Sequence, residues 1–287
     1  MPNISDYVLS ERLRLLVYGK SKSGKTWGAG TFPRPNFIDM DKGVSTVISP
    51  AWLAAHANKS DIMYEQFPER GTTTRGVYSQ VNGFDDACKY FDACMNPKGA
   101  KWTSTSNGKV YDVHPDMFDT WVLDSGTTLA EAATRKGIII LGQGTKPLSM
   151  THKNALASGL ITLRQQDFGA ERSMTEQFID MLLQANKHVV VIAHERENYS
   201  ESGNLERVVP LFTGQSTERI PLKFDEVYNL RAQKEGVNLS RKLQTVDDGI
   251  RLAGTRGLGM PDKTAWNFAA IVAALKSRPT TSTQESK

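Results

Sequence analysis

Residues 13–26, LRLLVYGKSKSGKT, constrain this chain more than any other stretch. An apolar run of strand length feeds a loop that matches the pattern GxxxxGK[ST] at every fixed position. Gly19 and Gly24 permit backbone angles that side chains forbid, so the N–H groups of Lys20, Ser21, Lys22 and Ser23 can turn inward around a polyphosphate. Lys25 can then reach the β- and γ-phosphates as a point charge, and the Thr26 hydroxyl can hold Mg²⁺. A helix starting at Gly24-Lys25 adds its positive end to the same anion site. A Gly/Ser/Lys surface loop could match by chance, but a buried-type strand directly before it argues against that. A nucleoside triphosphate is the expected ligand.

Hydrophobic content of 39% and charged content of 23% over 287 residues describe an ordinary soluble globular chain, one α/β domain or two small ones. The net charge of +4 is dispersed, which permits a nucleic-acid partner without arguing for one. Cys88 and Cys94 fall with Phe84, Phe91 and Met95 on one helical face, so buried free thiols are expected rather than a disulfide or metal site. No signal sequence is recognisable, and the longest apolar runs, such as Ile138 to Leu141, are too short to span a bilayer. These features imply no membrane partner and a cytoplasmic setting.

After the loop, the first helix must be short because Pro33 and Pro35 end it. Strands are expected at 36–41 and 62–67, with helical composition at 44–57 and a polar loop from 68 to 81. The helix bearing both cysteines follows. Residues 102–113 read as a hairpin around Asn107-Gly108, a decoration on the main sheet. A strand at 119–125 ends in a carboxylate, residues 126–170 are helical with glycine interruptions, and a firmer helix is expected at 171–186. His188 to His194 reads as a buried parallel strand. Beyond it, 195–260 turns to β texture, with a second hairpin of 224–232 and 239–246 and a last strand at 251–256. A final helix carries Phe268, Ile271, Val272 and Leu275, and the tail from 276 to 287 has nothing apolar to bury. The fold class expected is α/β, a mainly parallel twisted sheet with helices on both faces and β-hairpin additions.

Ligands in such sheets lie at the carboxyl ends of the strands. Asp124 ends an apolar strand and suits a second Mg²⁺ ligand beside Thr26. Asp41 ends the second strand and could orient a water or cap a helix, and Asp39, two residues earlier, shares its face. His194 ends its strand and could meet a γ-phosphate or serve structure alone. The stretch NKSD at 58–61 spells a guanine-reading tetrapeptide, but it comes too early in the chain, and DSGT at 124–127 lacks the matching switch pattern. ATP is therefore favoured over GTP.

The ordered set GKSKSGKT, FIDMDKG (37–43), WVLDSGTT (121–128), VVVIAHE (189–195), PLFTG (210–214), FDEVYNLR (224–231) and LAGTRG (252–257) resembles phage RecA-like ATPases. More narrowly, it is similar to the single-domain phage single-strand-annealing proteins related to RecA and RadA. The resemblance runs from about Arg14 to Gly259 and implies one RecA-like P-loop ATPase domain over 13–275, after a lead-in at 1–12 and with a hairpin insertion near 100–114. It also implies roles. Lys25, Asp41, His194 and Arg256 would be catalytic, Asp41 polarising the attacking water and Arg256 reaching a neighbouring subunit's γ-phosphate. Related chains often carry Lys two residues before that arginine, where this one has Gly254. Thr26 and Asp124 would hold Mg²⁺. Nucleic-acid contacts would come from Lys146, Lys153 and Arg164 in one loop region and from Arg196, Tyr199, Arg207 and Arg219 in another.

The function implied is an ATP-binding, ATP-hydrolysing protein that grips single-stranded DNA for recombination or strand annealing, as a ring or filament. A single-strand-binding protein is a further candidate partner, for the hairpin or the tail. A regulatory or loading ATPase acting on a protein partner is the alternative. A small-molecule kinase ranks last, because no compact arginine-rich lid stands out.

Overall fold

The computed structural model describes residues 12–57, 59–68, 82–142, 167–235, 238–256 and 260–276. Strand β1 (Arg14–Gly19) is the central staff, with Leu15, Leu16, Val17 and Tyr18 all fully buried. The chain continues through α1 (Lys25–Ala29), β2 (Pro35–Asp39), α2 (Pro50–Ala55), β3 (Met63–Gln66) and α3 (Gly83–Met95). Next come β4 (Ala100–Thr103), β5 (Val110–Val113), β6 (Thr120–Asp124), α4 (Gly126–Gly142) and α5 (Asp167–Gln184). Then follow β7 (His188–Tyr199), β8 (Leu205–Pro210), α6 (Ser216–Arg219), β9 (Glu226–Glu235) and β10 (Asn238–Gln244). Two short strands, β11 (Gly254–Thr255) and β12 (Thr264–Ala265), precede α7 (Phe268–Lys276).

The main sheet runs β12-β10-β9-β1-β7-β6-β2-β3, with β11 added to β9 and β8 to β7. From β9 to β3 every neighbouring pair on that path is parallel, while β10, β11 and β12 pair antiparallel. Because side chains alternate across a strand, the sheet splits its apolar residues between two cores. Leu16, Tyr18, Trp121 and Leu123 pack with Phe84, Phe91, Leu129 and Phe178 of α3, α4 and α5. Leu15, Val17, Val122 and Val190 pack on the other face with Ala29, Trp52 and Ile271 of α1, α2 and α7. The result is helix, sheet and helix in three layers. Among the described residues, no helix is long and apolar enough to cross a membrane.

Several boundaries move relative to the sequence expectation. The 44–57 helix divides into a 3-10 turn at Gly43–Thr46 and the short α2, which Ser49 caps through its hydroxyl. β7 does not stop at His194 but runs on to Tyr199, because its far half pairs with β8 as an antiparallel hairpin. The 251–256 strand shrinks to Gly254–Thr255. The hairpin of β4 and β5 forms its own two-stranded sheet. It is tied to the edge strand by the buried Glu65, which accepts from Trp102 Nε1 at 2.8 Å and Ser106 Oγ at 2.7 Å. Burial alone would raise the Glu65 pKa, but these donors hold it below the ordinary carboxylate value. Both cysteines are free, Cys94 fully buried and Cys88 half-buried.

Trp121 sits where α3 meets the sheet, touching Phe91, Phe118 and Tyr90 at ring-centroid separations of 5.3, 4.5 and 6.2 Å. Trp121→Ala is expected to cost about 3–5 kcal/mol, read as a lower urea midpoint with an unchanged denaturant slope.

Candidate nucleotide site

The loop after β1 has the backbone its glycines and lysines require. Gly24 has φ 95° and Lys22 φ 63°, both in the left-handed region, and the Ser23 N–H closes a turn on the Lys20 carbonyl at 3.2 Å. Gly19 is fixed by space, since a Cβ there would come within 2.7 Å of the Leu230 carbonyl on β9. The Lys25 ammonium lies across the loop and donates to the Gly19 and Lys20 carbonyls, both at 2.8 Å. Burial lowers its pKa against the opposing pull of Asp124, Glu195 and Asp41. The hydroxyl of Ser23 is buried inside the loop with no hydrogen-bond partner. A phosphate oxygen is the acceptor that would satisfy it.

Parallel register gathers the remaining groups. Gly19 lies level with His194 of β7, and Asp124 of β6 lies level with Asp39 of β2. Thr26 Oγ1 donates to Asp124 Oδ2 at 2.6 Å. Gly43 lies so close over this pair that a Cβ would collide with the Asp124 carboxylate. A hydroxyl and a carboxylate, both hard oxygen donors, joined in a glycine-made cradle fit Mg²⁺. Thr26 and Asp124 would hold that ion, which would supply neutralisation of phosphate charge. The Asp124–Ser125 peptide is cis.

Asp39 takes a role that the sequence left open for Asp41. It accepts from the Gly43 and Val44 N–H groups at 2.8 and 3.3 Å and from Gln66 Nε2 at 2.9 Å, so it caps the 3-10 turn. Asp41 is thereby spared for the cleft. Its Oδ1 accepts from Thr128 Oγ1, and its Oδ2 lies 3.2 Å from His194 Nε2. Burial would raise the Asp41 pKa, but hydrogen bonds from His194, Thr128 and Ser125 outweigh it and hold the carboxyl below its ordinary value. The His194 backbone N–H is in turn held by Thr127 Oγ1 at 3.0 Å, and Thr127 donates to the Leu211 carbonyl at 2.9 Å. Sequence reasoning missed Gly43, Thr127 and Thr128. The only signals for them were the glycine after Asp41-Lys42 and the paired threonines after Asp124.

The other predicted residues lie apart from this cluster. Arg256 is exposed, donating Nη2 to the Leu222 carbonyl at 2.8 Å, with Nη1 3.6 Å from Asp225. Its backbone N–H bonds Asp225, next to Glu226, which pairs with Leu15 at the start of β1. Arg256 therefore sits near the opposite end of the parallel strands, roughly 15 Å from the phosphate loop. Arg196 and Tyr199 are on β7, Arg207 on β8 and Arg219 on α6. Arg207 pairs with both carboxylate oxygens of Asp247, and Tyr199 donates to Glu197, which also holds Lys20 at 3.1 Å. Lys146, Lys153 and Arg164 lie outside the described residues.

A family model described as an AAA domain matches residues 11–257, most of the chain and every element of the cluster. The chain belongs to the AAA-domain family. That membership brings with it nucleotide binding, ATPase activity in general and a metal that is typically Mg²⁺. No curated protein matches the sequence.

In the AAA domain, burial first, and then the charges of Asp39 and Asp41, push Asp124 up to about 7 despite its hydrogen bond from Thr26 and the Lys25 charge. Its folded pKa therefore exceeds the unfolded value of about 3.9. The resulting stabilisation is full below about pH 4 and is lost as pH rises through about 7. In EDTA, the melting temperature of the wild type relative to Asp124→Asn should fall between about pH 4 and 7 and level off above, and Mg²⁺ should remove that difference.

Proposed function

We propose that this AAA domain is a Mg²⁺-dependent ATPase of RecA-like character that acts on single-stranded DNA in recombination or strand annealing. The contact between Asp41 and His194, 3.2 Å apart, carries the reading. Asp41 is ionised and sits beyond the Lys25–Thr26–Asp124 group, the place from which a carboxylate can orient water toward a terminal phosphate and take its proton. Lys25 neutralises phosphate charge, and Thr128 and His194 hold Asp41 in its rotamer. His194 lies within β7, which runs unbroken from the site into the hairpin with β8. A change at the terminal phosphate therefore has a rigid path out of the cleft. Lys20 adds a second link by pairing with Glu197 on the same strand.

Support for a DNA load comes from the far half of that strand. Tyr199 is 56% exposed and offers a stacking face. Arg196 lies on the same strand, and Arg219 is exposed on α6. The position of Arg256, far from its own phosphate loop, supports a homo-oligomer, ring or filament, in which it serves the next subunit.

ATP turnover at low salt, with and without single-stranded DNA, tests the reading. DNA is expected to raise the rate, and Lys25→Ala to abolish both ATP binding and turnover. Asp41→Asn should keep binding but lose turnover by about 10²-fold or more. Turnover that ignores DNA yet responds to a protein partner would replace the DNA reading with that of a loading ATPase.

A further inference from the structure

We propose that the pocket between α1 and strands β10 and β12 receives the base and sugar of the bound nucleotide, with Trp27 and Arg241 as its stacking surfaces. This rests on the triphosphate reading of the phosphate loop. The sheet order sets the direction. β1 lies between β7 and β9, so the carboxylates of β6 and β2 flank the loop on one side and β10 and β12 flank it on the other. Thr26 turns to Asp124 on the first side, and the next residue, Trp27, holds its ring between Arg241 on the second side and Trp52 and His56 of α2. A triphosphate with its terminal phosphate at the carboxylates leaves the loop toward Trp27.

The pocket there has a volume of about 530 Å³, lined by Trp27, Thr31, Arg241, Trp266, Asn267 and Phe268 among others. Small-molecule ligands occupy pockets of about 300–1,000 Å³ with mostly apolar and aromatic walls. The walls are fastened to the phosphate loop itself. Trp266 Nε1 donates to the Lys25 carbonyl at 2.8 Å, and its ring presses on Gly28, where a Cβ would collide with it. The Arg241 guanidinium stands 4.7 Å over the Trp27 ring and lies against Gly24, which leaves no room for a side chain at that position. Its Nε is buried without a hydrogen-bond partner. Packing of α7 and α2 onto α1 would explain the aromatic residues, but not an open cavity walled by a guanidinium face. A planar base stacked on the guanidinium face or on Trp27 fills that cavity.

Calorimetric titration of the full chain with Mg·ATP and, separately, with Mg²⁺ and inorganic tripolyphosphate tests this. Trp27→Ala is expected to weaken ATP about ten-fold or more while leaving tripolyphosphate within about two-fold, and Trp27→Phe to keep most of the ATP affinity. Lys25→Ala should lose both ligands. As a measurement on the unaltered chain, ATP but not tripolyphosphate should change tryptophan emission, and Trp27→Phe should diminish that change. Equal effects of Trp27→Ala on both ligands, no effect on either, or emission that ignores ATP would overturn the pocket assignment while Lys25→Ala still reports on the loop. If the wild-type chain binds neither ligand, the triphosphate reading itself fails.

Discussion

The pairing of β7 with both β1 and β6 is the constraint on which the site depends. It brings His194 level with Gly19 and seats Asp124 beside Ile192. A slip of one residue would turn every side chain of β7 to the opposite face. Val189 and Val191 would leave one core, Val190 and Ile192 the other, and His194 would lose Asp41. Burial on both faces therefore specifies the register, and the register in turn specifies the site.

Within that frame, charge decides what each acid does. Asp39, Asp41 and Asp124 crowd the ends of two adjacent strands, with Lys25 as the nearby cation. Three carboxylates this close cannot share one state. Asp39 is satisfied by backbone N–H groups and Gln66, Asp41 is kept ionised by His194 and two hydroxyls, and Asp124 is left buried with only Thr26 and Lys25 to offset its neighbours. Such a group favours binding of a divalent cation, which replaces the proton that burial retains. The same strand pairs with the phosphate loop through Glu197 and Lys20 and with the segment after β2 through His194 and Asp41.

Much of this was legible in the chain. The phosphate-loop pattern named Gly19 to Thr26, and an apolar strand ending in Asp124 named its partner, because both signals are local and periodic. The hairpin around Asn107-Gly108 was equally plain. The length of β7 was not, since a strand that changes from parallel to antiparallel partners leaves no break in its own pattern. The choice between Asp39 and Asp41 was also hidden. Two acids two residues apart, one ending β2 and the other just beyond it, differ only in which donors the fold delivers to them.

By itself, then, the sequence determined the phosphate loop, the parallel α/β class and the carboxylate at the end of β6, all of which follow from backbone freedom and hydrophobic period over short spans. Only the tertiary structure decided that Asp41 faces His194, that Gly43 roofs Thr26 and Asp124, and that Arg241, more than two hundred residues after the loop, lies beneath Gly24. These are contacts between distant segments. They depend on strand order and register, which no local stretch encodes.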